Sequence, residues 1–151
     1  MKAIVKKYDE TKTHVLDFIS FEDVKEFLKK EYKREQGKDP QKDTKPCFFT
    51  VGENLVVVYF DAIPNVNSKK VFLNRLNATI KANENRRLNC ANLSTPMEVY
   101  NSFAIIRTDY HKYKNDESFS FISVDGVDIA YITKMLHPMN QTVLMMKWWE
   151  A

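Results

Sequence analysis

Two runs along the chain are apolar at consecutive positions instead of alternate ones: Leu55-Val56-Val57-Val58-Tyr59-Phe60 and Val143-Leu144-Met145-Met146-Lys147-Trp148-Trp149. Successive side chains of a β-strand point to opposite faces of its sheet, so strands of this kind need cover above and below. A sheet with one face in water does not accommodate them. If helices pack on one side only, the second face has to be covered by another layer, a bent sheet or a second copy of the chain.

Elsewhere the period changes. Lys2–Tyr8 and Thr13–Ile19 carry β-branched and aromatic residues around the polar Asp9-Glu10-Thr11-Lys12, which suits two strands or a strand and a lead-in. Ser20-Phe21-Glu22-Asp23 has the form of a capping box. Phe21, Val24, Phe27, Leu28 and Tyr32 then recur every three or four positions, and Gly37 is a natural stop, so an amphipathic helix is predicted here. Lys38–Pro46 is polar with two prolines and reads as an exposed loop. Cys47–Val51 and Leu55–Phe60 flank Gly52-Glu53-Asn54 and read as a hairpin.

The second half is more ambiguous. Beyond Pro64-Asn65-Val66-Asn67-Ser68, the residues Phe72, Leu73, Leu76 and Ile80 have helical spacing and predict a second helix ending near Asn85. Thr95, Pro96 and Glu98 carry the start signature of a third. Met97, Tyr100, Phe103, Ala104 and Arg107 would extend it, yet Phe103–Ile106 fits a strand equally well. Ser118–Val124 and Val127–Thr133 read as a hairpin around Asp125-Gly126, a pair that tolerates the positive φ angles of a type I′ turn. His137–Gln141 turns the chain into the final strand. The sum is one domain over residues 1–151 of α+β class: a largely antiparallel sheet of about five to seven strands with two or three helices packed on one face.

Composition narrows the function classes. A chain of 151 residues that is 44% hydrophobic supports a single core. Its 23 basic and 20 acidic groups are mixed along the chain, so no strong pull toward nucleic acid or an anionic membrane is implied. Only three glycines argue against a Gly-rich phosphate cradle. Cys47 and Cys90 have no CxxC spacing, and Met1–Lys7 lacks the apolar stretch of a secretory signal. The expectation is reduced cysteines, a cytoplasmic protein, no membrane span and no cofactor.

Candidate chemistry is sparse. Arg107, His111 and Lys112 form the densest group of reactive side chains; His111 could move protons while Arg107 or Lys112 steadies an anionic transition state, as a metal-independent nuclease requires. A polar loop before a hairpin has the same composition, and no HExxH or paired His-x-Thr motif accompanies it. Nucleic-acid binding would use Arg75, Lys81, Arg86 and Arg87, which a solvated helix face also explains. The spacing of the aspartates selects no metal pair. Trp148 and Trp149 are adjacent at the end of a strand, so one of them and Met146 are candidates for an interface between copies or with a partner.

Abundant lysine, asparagine and isoleucine beside scarce glycine give the chain a composition that resembles the small accessory, host-interaction proteins of T-even-like tailed phages. That resemblance implies a regulatory or inhibitory partner of a host protein. With the doubly apolar strands it yields the leading expectation: a self-associating binding protein. A nucleic-acid binder or nuclease, and a protein that sequesters a small ligand, are the alternatives.

Overall fold

The computed structural model describes residues 1–76, 94–108 and 121–136. The chain runs β1 (Lys2–Lys6), β2 (His14–Asp17), α1 (Phe21–Gln36), β3 (Cys47–Gly52), β4 (Leu55–Tyr59), β5 (Val71–Leu76), β6 (Ser94–Val99), β7 (Phe103–Thr108) and β8 (Phe121–Ile122). It continues into α2, residues 126–136. The larger sheet has the order β2-β1-β7-β4-β3, with β8 beside β7, and β5 and β6 form a second sheet; every pairing is antiparallel. The chain is therefore α+β, as its pattern predicts.

The consecutive apolar run becomes β4, an inner strand between β3 and β7, in register Val57 to Ile105 and Val58 to Ala104. Leu55, Val56, Val57 and Val58 are each at most 3% exposed. Leu55 and Val57 join Ile4, Phe103 and Ile105 in a core closed by Val71, Leu73 and Val99 of the second sheet and by Ile132 and Leu136 of α2. Val56, Val58 and Phe60 join Ala3, Val5, Ala104 and Ile106 in a second core closed by Val24 and Leu28 of α1. The two helices thus lie on opposite faces of the sheet instead of sharing one. The chain's own layers cover both faces of this run, so a second copy is not needed for it.

Helix α1 follows its sequence signals closely. Ser20 Oγ accepts from the Asp23 amide, the Asp23 carboxylate accepts from the Ile19 amide, and Gly37 ends the helix at φ 76°, donating its amide to Lys33 O. In the second half the structure departs from the pattern. Phe72–Leu76 belongs to β5, not to a helix; Val71 and Leu73 are buried while Phe72 and Asn74 are half-exposed, the period of two that a one-sided strand shows. Thr95, Pro96 and Glu98 lie in β6, where Pro96 faces Asn74 in a ribbon that is two-stranded among the described residues, so its missing donor deprives no described neighbour. Phe103–Thr108 is the strand alternative. No described helix is long and apolar enough to cross a membrane.

Asp125-Gly126 opens α2 instead of turning a hairpin. Asp128 donates its amide to Asp125 Oδ1 at 2.8 Å and Asp125 donates its own to Asp128 Oδ2 at 3.1 Å, the reciprocal exchange of a capping box. The final strand predicted at Val143–Trp149 lies outside the described residues. Among the described residues nothing stands near the place of a Cβ at Gly126, and its φ is not positive, whereas Gly37 is left-handed. Gly126→Ala is therefore expected to stabilise by roughly 0.5–1 kcal/mol, and Gly37→Ala to cost about 1 kcal/mol, in urea unfolding. A large loss at Gly126 would restore the type I′ turn.

Candidate functional site

At the end of the large sheet where β1 finishes and β7 begins, polar side chains replace apolar ones in the interior. Lys6, Glu35, Asn101 and Ser102 are all buried, Lys6 completely. Buried polar groups require partners, and most of the partners here come from one segment, the connection from Asp61 to Lys70.

Glu35, one residue before the end of α1, accepts from Ser68 Oγ at 2.6 Å and from Asn101 Nδ2 at 3.1 Å, while its main-chain oxygen accepts from Asn65 Nδ2 at 2.8 Å. Asn101 Nδ2 also reaches Ala62 O, and Gln36 Nε2 donates to Ile63 O. Inside the segment, Asn65 Oδ1 accepts from the Asn67 amide, Ser68 Oγ accepts from the Asn65 amide, and the Ser68 amide returns to Asn65 O. These are the local side-chain bonds that make Asn and Ser turn formers. At the far end, Lys69 donates its amide to Tyr8 O at 2.7 Å, and Lys6 Nζ donates to Lys69 O at 2.8 Å.

The outcome is a loop whose main chain is held along its length while its apolar side chains are not. Ile63 is 84% exposed and Val66 99%, with Pro64 exposed between them. Beneath it, Leu28, Tyr32, Glu35, Phe60, Asn101 and Ser102 line a cavity with room for about one water.

Two further ion pairs brace this frame. Arg34 donates to both oxygens of Asp9 at 2.9 Å, binds Glu31 as well, and stacks 4.5 Å from the centre of the Tyr8 ring. The guanidinium holds the Asp9 carboxyl below its usual range, and the pair ties the β1–β2 turn to α1. Lys6 Nζ lies 5.9 Å from the Phe103 ring centre and makes no ion pair among the described residues. Burial pushes its amine from 10.5 down to about 8, against the pull of Glu35, Asp9 and Glu10.

Of the residues singled out in the sequence, Arg107 is placed on β7 with Nε 2.8 Å from Asp128 Oδ2 and Nη2 on the other oxygen. That bidentate pair lowers the Asp128 carboxyl below its usual range and fastens α2 to the sheet. The fork of Arg107 thus holds a carboxylate of its own chain. His111 and Lys112 lie outside the described residues. Arg75 is exposed on β5; Lys81, Arg86, Arg87, Met146, Trp148 and Trp149 lie outside the described residues. Among the described residues no group of three His, Cys, Asp or Glu could hold a metal ion. In the sequence Pro64–Ser68 reads as the lead-in to a helix, and the one local mark of the loop is that Ile63 and Val66 are apolar positions among turn residues.

Lys6 gives a pH signature with a definite sign. Between about pH 8 and 10.5 the unfolded chain keeps the Lys6 proton and the folded chain does not. Stability conferred through this residue therefore rises with pH across that window and is lost as pH falls through the folded value. The difference in unfolding free energy between wild type and Lys6→Met is expected to change by up to about 3 kcal/mol across it. A constant difference would show that the amine titrates normally. Comparison with protein-family models, with curated proteins and with solved structures finds no match to this chain.

Proposed function

We propose that this chain is a binding protein that modulates another protein, and that the loop Asp61–Lys70 is its recognition element. The observation that carries the reading is the contrast within that loop: a segment anchored by buried Glu35, through the Asn65 and Ser68 side chains, and by buried Asn101, through Ala62 O, and two aliphatic side chains, Ile63 and Val66, left in water. Ordering a loop in advance removes an entropic cost from association. Convex aliphatic side chains on a rigid frame suit an apolar cleft on a protein partner, where a few anchors supply most of the affinity. The compositional resemblance to accessory proteins of tailed phages makes a host protein the partner class.

The other readings have less support. Leu55–Phe60 is covered within one chain, which removes that strand as a reason for self-association. The cavity beside Glu35 has room for about one water, too little for a sequestered organic ligand. Single-stranded nucleic acid has one observation in its favour: Lys70 Nζ lies 5.1 Å from the Phe72 ring centre and 6.0 Å from that of Tyr100. Glu98 is 3.6 Å from that amine, and Arg75 points to the opposite side of β5 from Phe72.

The test is capture from host lysate with and without nuclease, followed by affinity measurement on the captured protein. Ile63→Ser combined with Val66→Ser is expected to leave the unfolding free energy within about 0.5 kcal/mol of wild type, since both side chains are exposed. The pair should weaken capture by about thirtyfold or more, the effect of losing an anchor of about 2 kcal/mol. Capture that the pair leaves intact, or that nuclease abolishes, overturns the proposal.

A further inference from the structure

Lys6 and Glu35 enter the interior from different elements, β1 and α1, and bind adjacent residues of one loop: Glu35 takes the Ser68 hydroxyl at 2.6 Å and Lys6 takes the Lys69 carbonyl at 2.8 Å. We propose that the two form a buried polar couple, joined through the loop, that holds Asp61–Lys70 in its displayed conformation, so that presentation of Ile63 and Val66 depends on both side chains together. This rests on the reading of that loop as the recognition element and assigns its control.

The groups around Lys6 are the carboxylates of Glu35 on α1 and of Asp9 and Glu10 in the β1–β2 turn, the main chain of Lys69, and the ring of Phe103 on β7. Asp9 is committed to Arg34 and Glu10 is bonded to His14 at 2.8 Å. Glu35 exerts the strongest pull of the three on the Lys6 amine. Each side chain holds the loop at an adjacent residue, and a buried polar group that loses its partner carries the full cost of its desolvation. Removing either should therefore release the same part of the loop, and removing both should cost little more than removing one.

Amide exchange at Asn67, Ser68 and Lys69 in the free, full chain reads this directly. Lys6→Met and Glu35→Gln are each expected to speed exchange about tenfold, and the double variant also about tenfold instead of a hundredfold. Effects that multiply, or single variants that leave exchange unchanged, overturn the proposal. Should Lys6→Met fail to fold, the Lys6 titration in Glu35→Gln, whose side chain keeps the shape of glutamate, decides: its midpoint must fall below the wild-type value of about 8. An unchanged midpoint overturns the couple. The measurement involves no partner, so a loop that is held by the couple but captures nothing overturns the docking reading and leaves this one standing.

Discussion

A strand that is apolar on both faces obliges the chain to build three layers. Each buried aliphatic side chain contributes roughly 1.5–3 kcal/mol. Leu55 and Val57 on one face of β4, and Val56 and Val58 on the other, thus bring roughly 3–6 kcal/mol per face, against a net stability of about 5–15 kcal/mol for a whole domain. Neither face can be left in water. The chain meets this by placing α1 over Val56 and Val58, and the β5–β6 sheet with α2 over Leu55 and Val57. Strands β1 and β7 inherit the same demand, which is why Ile4 and Val5, or Ile105 and Ile106, are neighbours in sequence yet belong to different cores.

Three layers create a problem at their ends. Where β1 stops and β7 starts, the strand peptides emerge between layers that no longer cover them, and main-chain groups there need partners that neither sheet nor helix supplies. The loop Asp61–Lys70 answers it. Lys69 meets Tyr8 O, Ser102 Oγ meets the Tyr8 amide, and Asn101 meets Ala62 O. The proposed recognition element would thus be a consequence of layer closure: the segment that seals the sheet end is also the one carrying Ile63 and Val66. At the other end of β7 the solution is an ion pair, with Arg107 binding the Asp128 cap of α2.

Local signals were legible where several agreed. Helix α1 has its cap, its stripe and its glycine stop, and the β3–β4 hairpin has two β-prone runs around a short Gly-containing connection. The signals failed where one residue pair serves two purposes. Phe72-Leu73 suits a helical stripe or a strand with one buried face, and only the second sheet's position over β4 selects the strand. Asp125-Gly126 suits a turn or a cap, and Asp128, three residues on, is what makes it a cap. The loop was readable as a turn from Pro64 to Ser68, but not as an anchored one. Glu35 is 33 residues from Ser68 and Asn101 is 66 from Glu35, so the bonds that define the site have no local trace.

The chemistry chosen for the sheet end argues for geometry over stability. Aliphatic residues at Lys6, Glu35 and Asn101 would extend the two cores and avoid the desolvation of buried charge, and replacements of that kind commonly match or exceed the stability of the polar original. They would also leave Ala62 O, Lys69 O and the Ser68 hydroxyl without their partners, and the loop free to take many conformations. Hydrogen bonds are directional where apolar contacts are not, so the polar cluster exchanges some free energy of folding for one fixed course of the main chain. That fixed course seals the sheet end, and under the proposed docking role it also gives Ile63 and Val66 in advance the ordering that association would otherwise have to supply.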